Sequence, residues 1–174
     1  MELTNGPAAP VAARQKLIVM TYEVHTTDLD ELDTAVEYAT LPVDEIGPWL
    51  GQAFAEVAAY LERKGAGPVG MPFARYHRVD DATFDVEAGF TATTPVGGEG
   101  EVEPSDLPKG PAAVTLHVGP YDTVAAAYGA LDAWIHDHGG EPAGDPWEVY
   151  LTDPMTEPDS AQWRTEIVMP YRVS

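Results

Sequence analysis

The segment Leu17–His25 is apolar and β-branched, with Thr21, Glu23 and His25 on one alternate face, and this pattern predicts a strand. Residues 32–41 carry a weaker version of the pattern, and a second strand over Thr34–Thr40 is expected. From Trp49 to Lys64 the apolar residues fall at 50, 53, 54, 57, 58 and 61, the stripe of a half-buried helix. Pro48 suits the first turn of that helix, Arg63 and Lys64 its last turn, and Gly65 its stop. Strands are expected over Phe73–Val79 and Thr83–Thr93, parted by a turn at Asp80-Asp81. The segment 95–111, rich in Pro, Gly, Glu, Ser and Asp, has no periodicity and reads as a linker. The order then recurs, with a strand over Ala112–Val118 and a helix over Tyr121–His138 stopped by Gly139-Gly140. Strands over Trp147–Thr152 and Trp163–Tyr171 follow, joined by the proline-rich loop 153–160.

This recurrence has a sequence signature. Residues 68–76 (Pro-Val-Gly-Met-Pro-Phe-Ala-Arg-Tyr) and 142–150 (Pro-Ala-Gly-Asp-Pro-Trp-Glu-Val-Tyr) both fit P-x-G-x-P-[FW]-x-x-Y, 74 residues apart. At the same offset Phe54, Val57, Tyr60 and Leu61 fall on Tyr128, Leu131, Trp134 and Ile135. Gly47-Pro48-Trp49 matches Gly119-Pro120-Tyr121 after a slip of two, and Phe84 and Glu87 match Trp163 and Glu166 after a slip of five. Slips of that kind are what loop insertions leave behind. The chain therefore reads as an α+β domain of two strand–helix–strand–strand halves, about 17–94 and 112–172, around a pseudo-two-fold axis. A cleft between such halves is a natural ligand site. Within the duplicated phrase, Ala74 in the first copy becomes Glu148 in the second.

Composition narrows the function. The net charge is −20, with no Lys or Arg but ten acidic residues from Leu17 to Glu62, and no basic residue from Gly110 to Trp163. Such a chain repels phosphate backbones, which excludes direct nucleic-acid binding and leaves cations as the favoured ions. No apolar run approaches the ~20 residues of a membrane helix. Residues 1–16 lack a hydrophobic signal core, so a disordered lead-in and a cytoplasmic protein are expected. With zero Cys, disulfides and thiolate metal sites are excluded. His136 and His138 are two apart on a helix and do not face each other. Asp28–Asp33 lacks the Gly and Glu of a calcium loop. No metal and no cofactor are expected.

The candidate chemistry centres on Glu148. In a strand it shares a face with Tyr150, while Trp147 and Val149 share the other. If the Trp147 face packs on a helix, Glu148 and Tyr150 point into the cleft. A buried carboxylate without a partner favours a cation or a proton. Glu166 alternates in the same way, but Glu87 mirrors it in the first half, so it does not break the symmetry. Tyr22, Tyr38, Tyr76, Phe90, Tyr121, Trp147, Tyr150 and Met169 are candidate wall residues, since aromatic faces attract cations.

The ordered set His117-Val118-Gly119-Pro120-Tyr121, Trp147–Pro154 and Thr165–Pro170, with Tyr22-Glu23-Val24 at the start, resembles the GyrI-like small-molecule-binding domain family. That family includes the effector-binding domains of multidrug-responsive transcription activators. The resemblance runs over roughly residues 17–172 and implies an aromatic cleft with a glutamate that pairs with hydrophobic, often cationic, small molecules. Glu148 inherits that role, and Glu166 matches a second acidic position less securely. Sixteen residues leave no room for a preceding DNA-binding domain, so a stand-alone member is expected. Some stand-alone relatives hydrolyse strained cyclopropanes, which implies an alternative in which Glu148 or Glu166 is a general acid or base. Some members inhibit a topoisomerase, which leaves a protein partner open as a third reading.

Overall fold

The computed structural model describes residues 21–173. The lead-in 1–16 and residues 17–20 of the strand expected over 17–25 lie outside this range, and of its described residues only His25 belongs to a strand. The first described strand is β1 (His25–Leu29), followed by β2 (Leu32–Pro42), α1 (Val43–Lys64), β3 (Val69–Arg78) and β4 (Thr83–Thr91). Then come β5 (Glu103–Leu107), β6 (Gly110–Val118), a 3-10 turn (Tyr121–Thr123), α2 (Ala125–Asp137), β7 (Gly140–Pro142), β8 (Trp147–Tyr150) and β9 (Arg164–Val173). The strands form one antiparallel sheet in the order β1-β6-β9-β8-β3-β4-β2-β5, with β7 beside β9. Among the described residues no helix is long and apolar enough to cross a membrane.

The strand order is symmetric about the β8–β3 pair. There, Ala74 and Glu148 are direct partners, flanked by Phe73 with Val149 and Arg75 with Trp147. The duplicated phrase therefore pairs with itself, and its pseudo-two-fold axis passes through Ala74 and Glu148.

Three expectations change in detail. The segment 95–111 contains the edge strand β5, which pairs with β2 through residues such as Leu32 and Leu107. Its counterpart at the other edge is β1, which pairs with β6 of the second half. Strand pairing, a long-range effect, decides both. Helix α1 starts at Val43, well before Pro48, which lies inside it. Pro42 ends β2 with φ −66° and ψ 153° and leads into α1, and Asp44 and Glu45 suit the dipole of its first turn. Pro120 holds φ −66° and ψ 158° before the 3-10 turn, so Pro42, rather than Pro48, is its structural counterpart.

Each helix buries its stripe on one face of the sheet. Val57, Tyr60 and Leu61 of α1 pack with Ala35 and Phe90, and Ala53 packs with Ala74, Val86 and Ala88. Ala127, Leu131 and Ile135 of α2 pack with Ala113, Ile167 and Met169. The opposite face is filled by strands alone, with Val36, Phe73, Val114, Trp147 and Val168 in one cluster, because the sheet curls. Gly89 permits a close approach there: a Cβ on it would sit 1.9 Å from the Ala35 carbonyl oxygen.

Candidate functional site

On the helix-bearing face, residues of α1, the 3-10 turn, α2, β3 and β8 line a cavity of about 1350 Å³. Its α1 wall carries Gly47, Gly51 and Ala55 four residues apart, on one helix face. A Cβ at Gly47 or Gly51 would meet nothing within 4 Å. These glycines cost helix propensity but leave open space where larger side chains would fill the cavity.

Glu148 stands on β8 at the pseudo-axis, only 8% exposed. Tyr128 of α2 donates to its Oε2 at 2.5 Å, and Tyr150, two residues along β8, donates to its Oε1 at 3.0 Å. Tyr76 of β3 meets the Tyr150 hydroxyl at 2.6 Å. Burial pushes the Glu148 carboxyl above the usual carboxylate range, against the opposing pull of the two tyrosine donors and of nearby His117. Burial, reinforced by the Glu148 charge, likewise raises Tyr76 and Tyr128. Among the described residues Glu148 has no Lys or Arg in salt-bridge contact. Among the described residues the buried carboxyl thus has hydrogen-bond donors but no Lys or Arg partner.

Repeat positions 54 and 128 break the symmetry together with 74 and 148. Phe54 and Tyr128 both line the cavity, but only Tyr128 has a hydroxyl to offer Glu148. Phe54 instead packs on Tyr150 and Phe90, with ring centroids 5.9 and 6.0 Å away. The charge and its donor therefore belong to the same half.

Of the residues singled out from sequence, Glu148, Tyr150, Tyr76, Tyr121 and Phe90 come together around this cavity. Tyr121 opens the 3-10 turn with its ring 5.6 Å from Tyr150 and 4.9 Å from Trp163. Trp147 and Glu166 lie on the other face of the sheet. Glu166 pairs with Val149, which packs beside Trp147, so it does not share a site with Glu148. The condition set for Glu148 to face the cleft, that the Trp147 face packs on a helix, does not hold: the curled sheet fills that face, and both helices cover the Glu148 side. Tyr38, half exposed, lines a separate cavity of about 460 Å³ with Arg75 and His77. Tyr22 and Met169 pack against α2 rather than lining the large cavity.

Two residues of the site were not picked out from sequence. Tyr128 was visible only as the repeat partner of Phe54. His117 is fully buried on β6; its Nε2 donates to the Pro120 carbonyl at 3.0 Å, and its Nδ1 meets the Tyr22 hydroxyl at 2.8 Å. His117 heads the His117–Tyr121 phrase, but nothing in that phrase shows its place beside the site, because its Tyr22 partner lies 95 residues away.

The family model of the GyrI-like small molecule binding domain matches residues 22–172. Among solved structures, the EcmrR C-terminal domain superposes with a TM-score of 0.71 at 24% identity, covering 89% of this chain and 100% of that one. EcmrR in its DNA complex gives 0.75 at 22% identity, covering 94% of this chain and 62% of that longer one. A hydrolase from Listeria innocua gives 0.65 at 11% identity, covering 92% and 98% of the two chains. SAV2435 bound to tetraphenylphosphonium gives 0.58 at 15% identity, covering 88% and 94%. At these identities the likeness is one of fold. No curated protein sequence matches the chain.

Proposed function

The chain belongs to the GyrI-like small-molecule-binding domain family, and from that premise we propose that it captures hydrophobic cations in the cavity between α1 and α2. Glu148 supplies the counter-charge. Tyr150, Tyr121, Tyr76 and Phe90 supply apolar burial and faces for cation–π contact, each worth about 0.5–2 kcal/mol depending on solvation.

One observation carries this reading: Glu148 is a buried carboxyl with two tyrosine donors, no Lys or Arg in salt-bridge contact among the described residues, and an aromatic cavity beside it. Burial of an unpaired carboxylate is unfavourable, and a ligand cation removes that penalty. The wide cavity and single buried charge impose little shape selection, so several hydrophobic cations are expected to bind.

Calorimetric titration with tetraphenylphosphonium tests the reading, using the wild type and Glu148→Gln. The expected outcome is a loss of about ten- to a hundredfold in affinity, the range for removing a charged partner. Equal affinity in the two proteins would overturn the role given to Glu148.

A further inference from the structure

Tyr76 and Tyr150 occupy equivalent repeat positions, and their hydroxyls meet at 2.6 Å across the pseudo-axis. Symmetry alone favours neither as donor. Glu148, facing Ala74, decides between them. An ionised carboxylate only accepts hydrogen bonds, so Tyr150 commits its single proton to Glu148 Oε1, and Tyr128 commits its own to Oε2. Tyr76 must then donate to Tyr150. For anything else in the cavity it lines, Tyr76 has lone pairs and no proton.

A protonated Glu148 opens the opposite sense. Its Oε1–H donates to the Tyr150 oxygen, Tyr150 turns its proton toward Tyr76, and the Tyr76 proton is free for the cavity.

We propose that Tyr76 is the second polar reader of the cavity, accepting from ligand N–H groups when Glu148 is ionised and donating to ligand oxygens when Glu148 is protonated. The proposal rests on the reading of Glu148 as the ligand-facing carboxyl. It assigns two ligand classes to one site. Protonated amines that carry an N–H bind in preference to quaternary cations in the ionised state. Neutral aromatic ketones or ethers are the class taken in the protonated state.

The groups around Glu148 permit this exchange. Its own strand offers Tyr150, β3 offers Tyr76, α2 offers Tyr128, and His117 acts from β6. The β9 residue paired with Glu148 is Ile167, and α1 contributes apolar Leu50 and Phe54 to the cavity. Tyr121, Asp145, Asp153, His77 and Arg78 line the same cavity outside the hydroxyl chain.

The test uses a matched pair of fluorescent cations, pyrenylmethyl-dimethylammonium with one N–H and its trimethylammonium counterpart, with 1-acetylpyrene as a neutral ketone. At about pH 8 the wild type is expected to bind the N–H cation about tenfold more tightly than the quaternary one, the effect of one charge-assisted hydrogen bond. Tyr76→Phe keeps the ring against Phe84 and is expected to equalise the pair. Tyr150→Phe keeps the Tyr76 hydroxyl but cuts its link to Glu148. In that variant the affinity for 1-acetylpyrene is expected to stop rising as pH falls from about 8 to about 5, as it does in the wild type. A preference unchanged in Tyr76→Phe, with both cations weakened by Glu148→Gln, overturns the role of Tyr76 and leaves the cation reading standing. Undiminished binding of both cations by Glu148→Gln overturns the two together.

Discussion

At the scale of residues, the site is made by departures from an internal repeat. Ala74 and Glu148 face each other across two strands, and Phe54 and Tyr128 occupy equivalent helix positions. The Ala/Glu difference was legible in the sequence because the duplicated phrase supplies its own reference. The donor role of Tyr128 was not, since a hydroxyl's partner on another element leaves no trace in local spacing.

Glu37 shows a second buried carboxyl with a different consequence. It lies on β2, and burial first, then a hydrogen bond and the charges of Glu56 and Glu101, raise it to about 7. A carboxyl raised by folding stabilises the protein below its ordinary value, and that contribution is lost as pH rises through the folded value. Thermal melts are therefore expected to show stability falling as pH rises toward and through about 7. Glu37→Gln, which keeps a hydrogen-bonding amide but cannot ionise, is expected to flatten the fall. A pH profile identical to the wild type would contradict this account of Glu37.

At the scale of elements, the helices and most strands were legible because their apolar spacing is strong and their ends carry Gly or Pro. Gly65 ends α1 with φ 64°, a left-handed conformation that glycine adopts without strain. The misread elements are those set by pairing. Short β5 has Pro104 and acidic residues in a Gly-rich context, and only its ladder with β2 makes it a strand. The face assignment of β8 turned on the curl of the sheet, which strand alternation alone does not encode. Helix α1 offers a separable test through its small-residue face. Gly51→Leu places a side chain in open cavity space and replaces a poor helix former. Unfolding is expected to cost up to about 1 kcal/mol more, while affinity for tetraphenylphosphonium falls about tenfold or more, roughly the loss of one to two kcal/mol of ligand burial. Lost stability together with unchanged binding would show that this face of α1 is not a cavity wall.

At the scale of the whole molecule, duplication gives a sheet whose two halves meet at one strand pair, with a helix from each half on the same face. That arrangement places the cavity over the axis, where a single unmatched charge acts on whatever enters between the helices. The acidic surface, with its net charge of −20, adds a long-range attraction for cations that salt screens, whereas the buried Glu148 is screened much less. The central claim is that the cavity holds a cation against an ionised Glu148. Because burial raises that carboxyl, a cation that binds at acid pH must displace its proton. The most direct measurement is the proton release accompanying tetraphenylphosphonium binding, obtained by calorimetry in buffers of different ionisation enthalpy from about pH 5 to about pH 8. The wild type is predicted to release protons at the acid end and progressively fewer as pH rises, and Glu148→Gln to release none. Binding by the wild type without proton release throughout, or the same release from Glu148→Gln, would contradict the account.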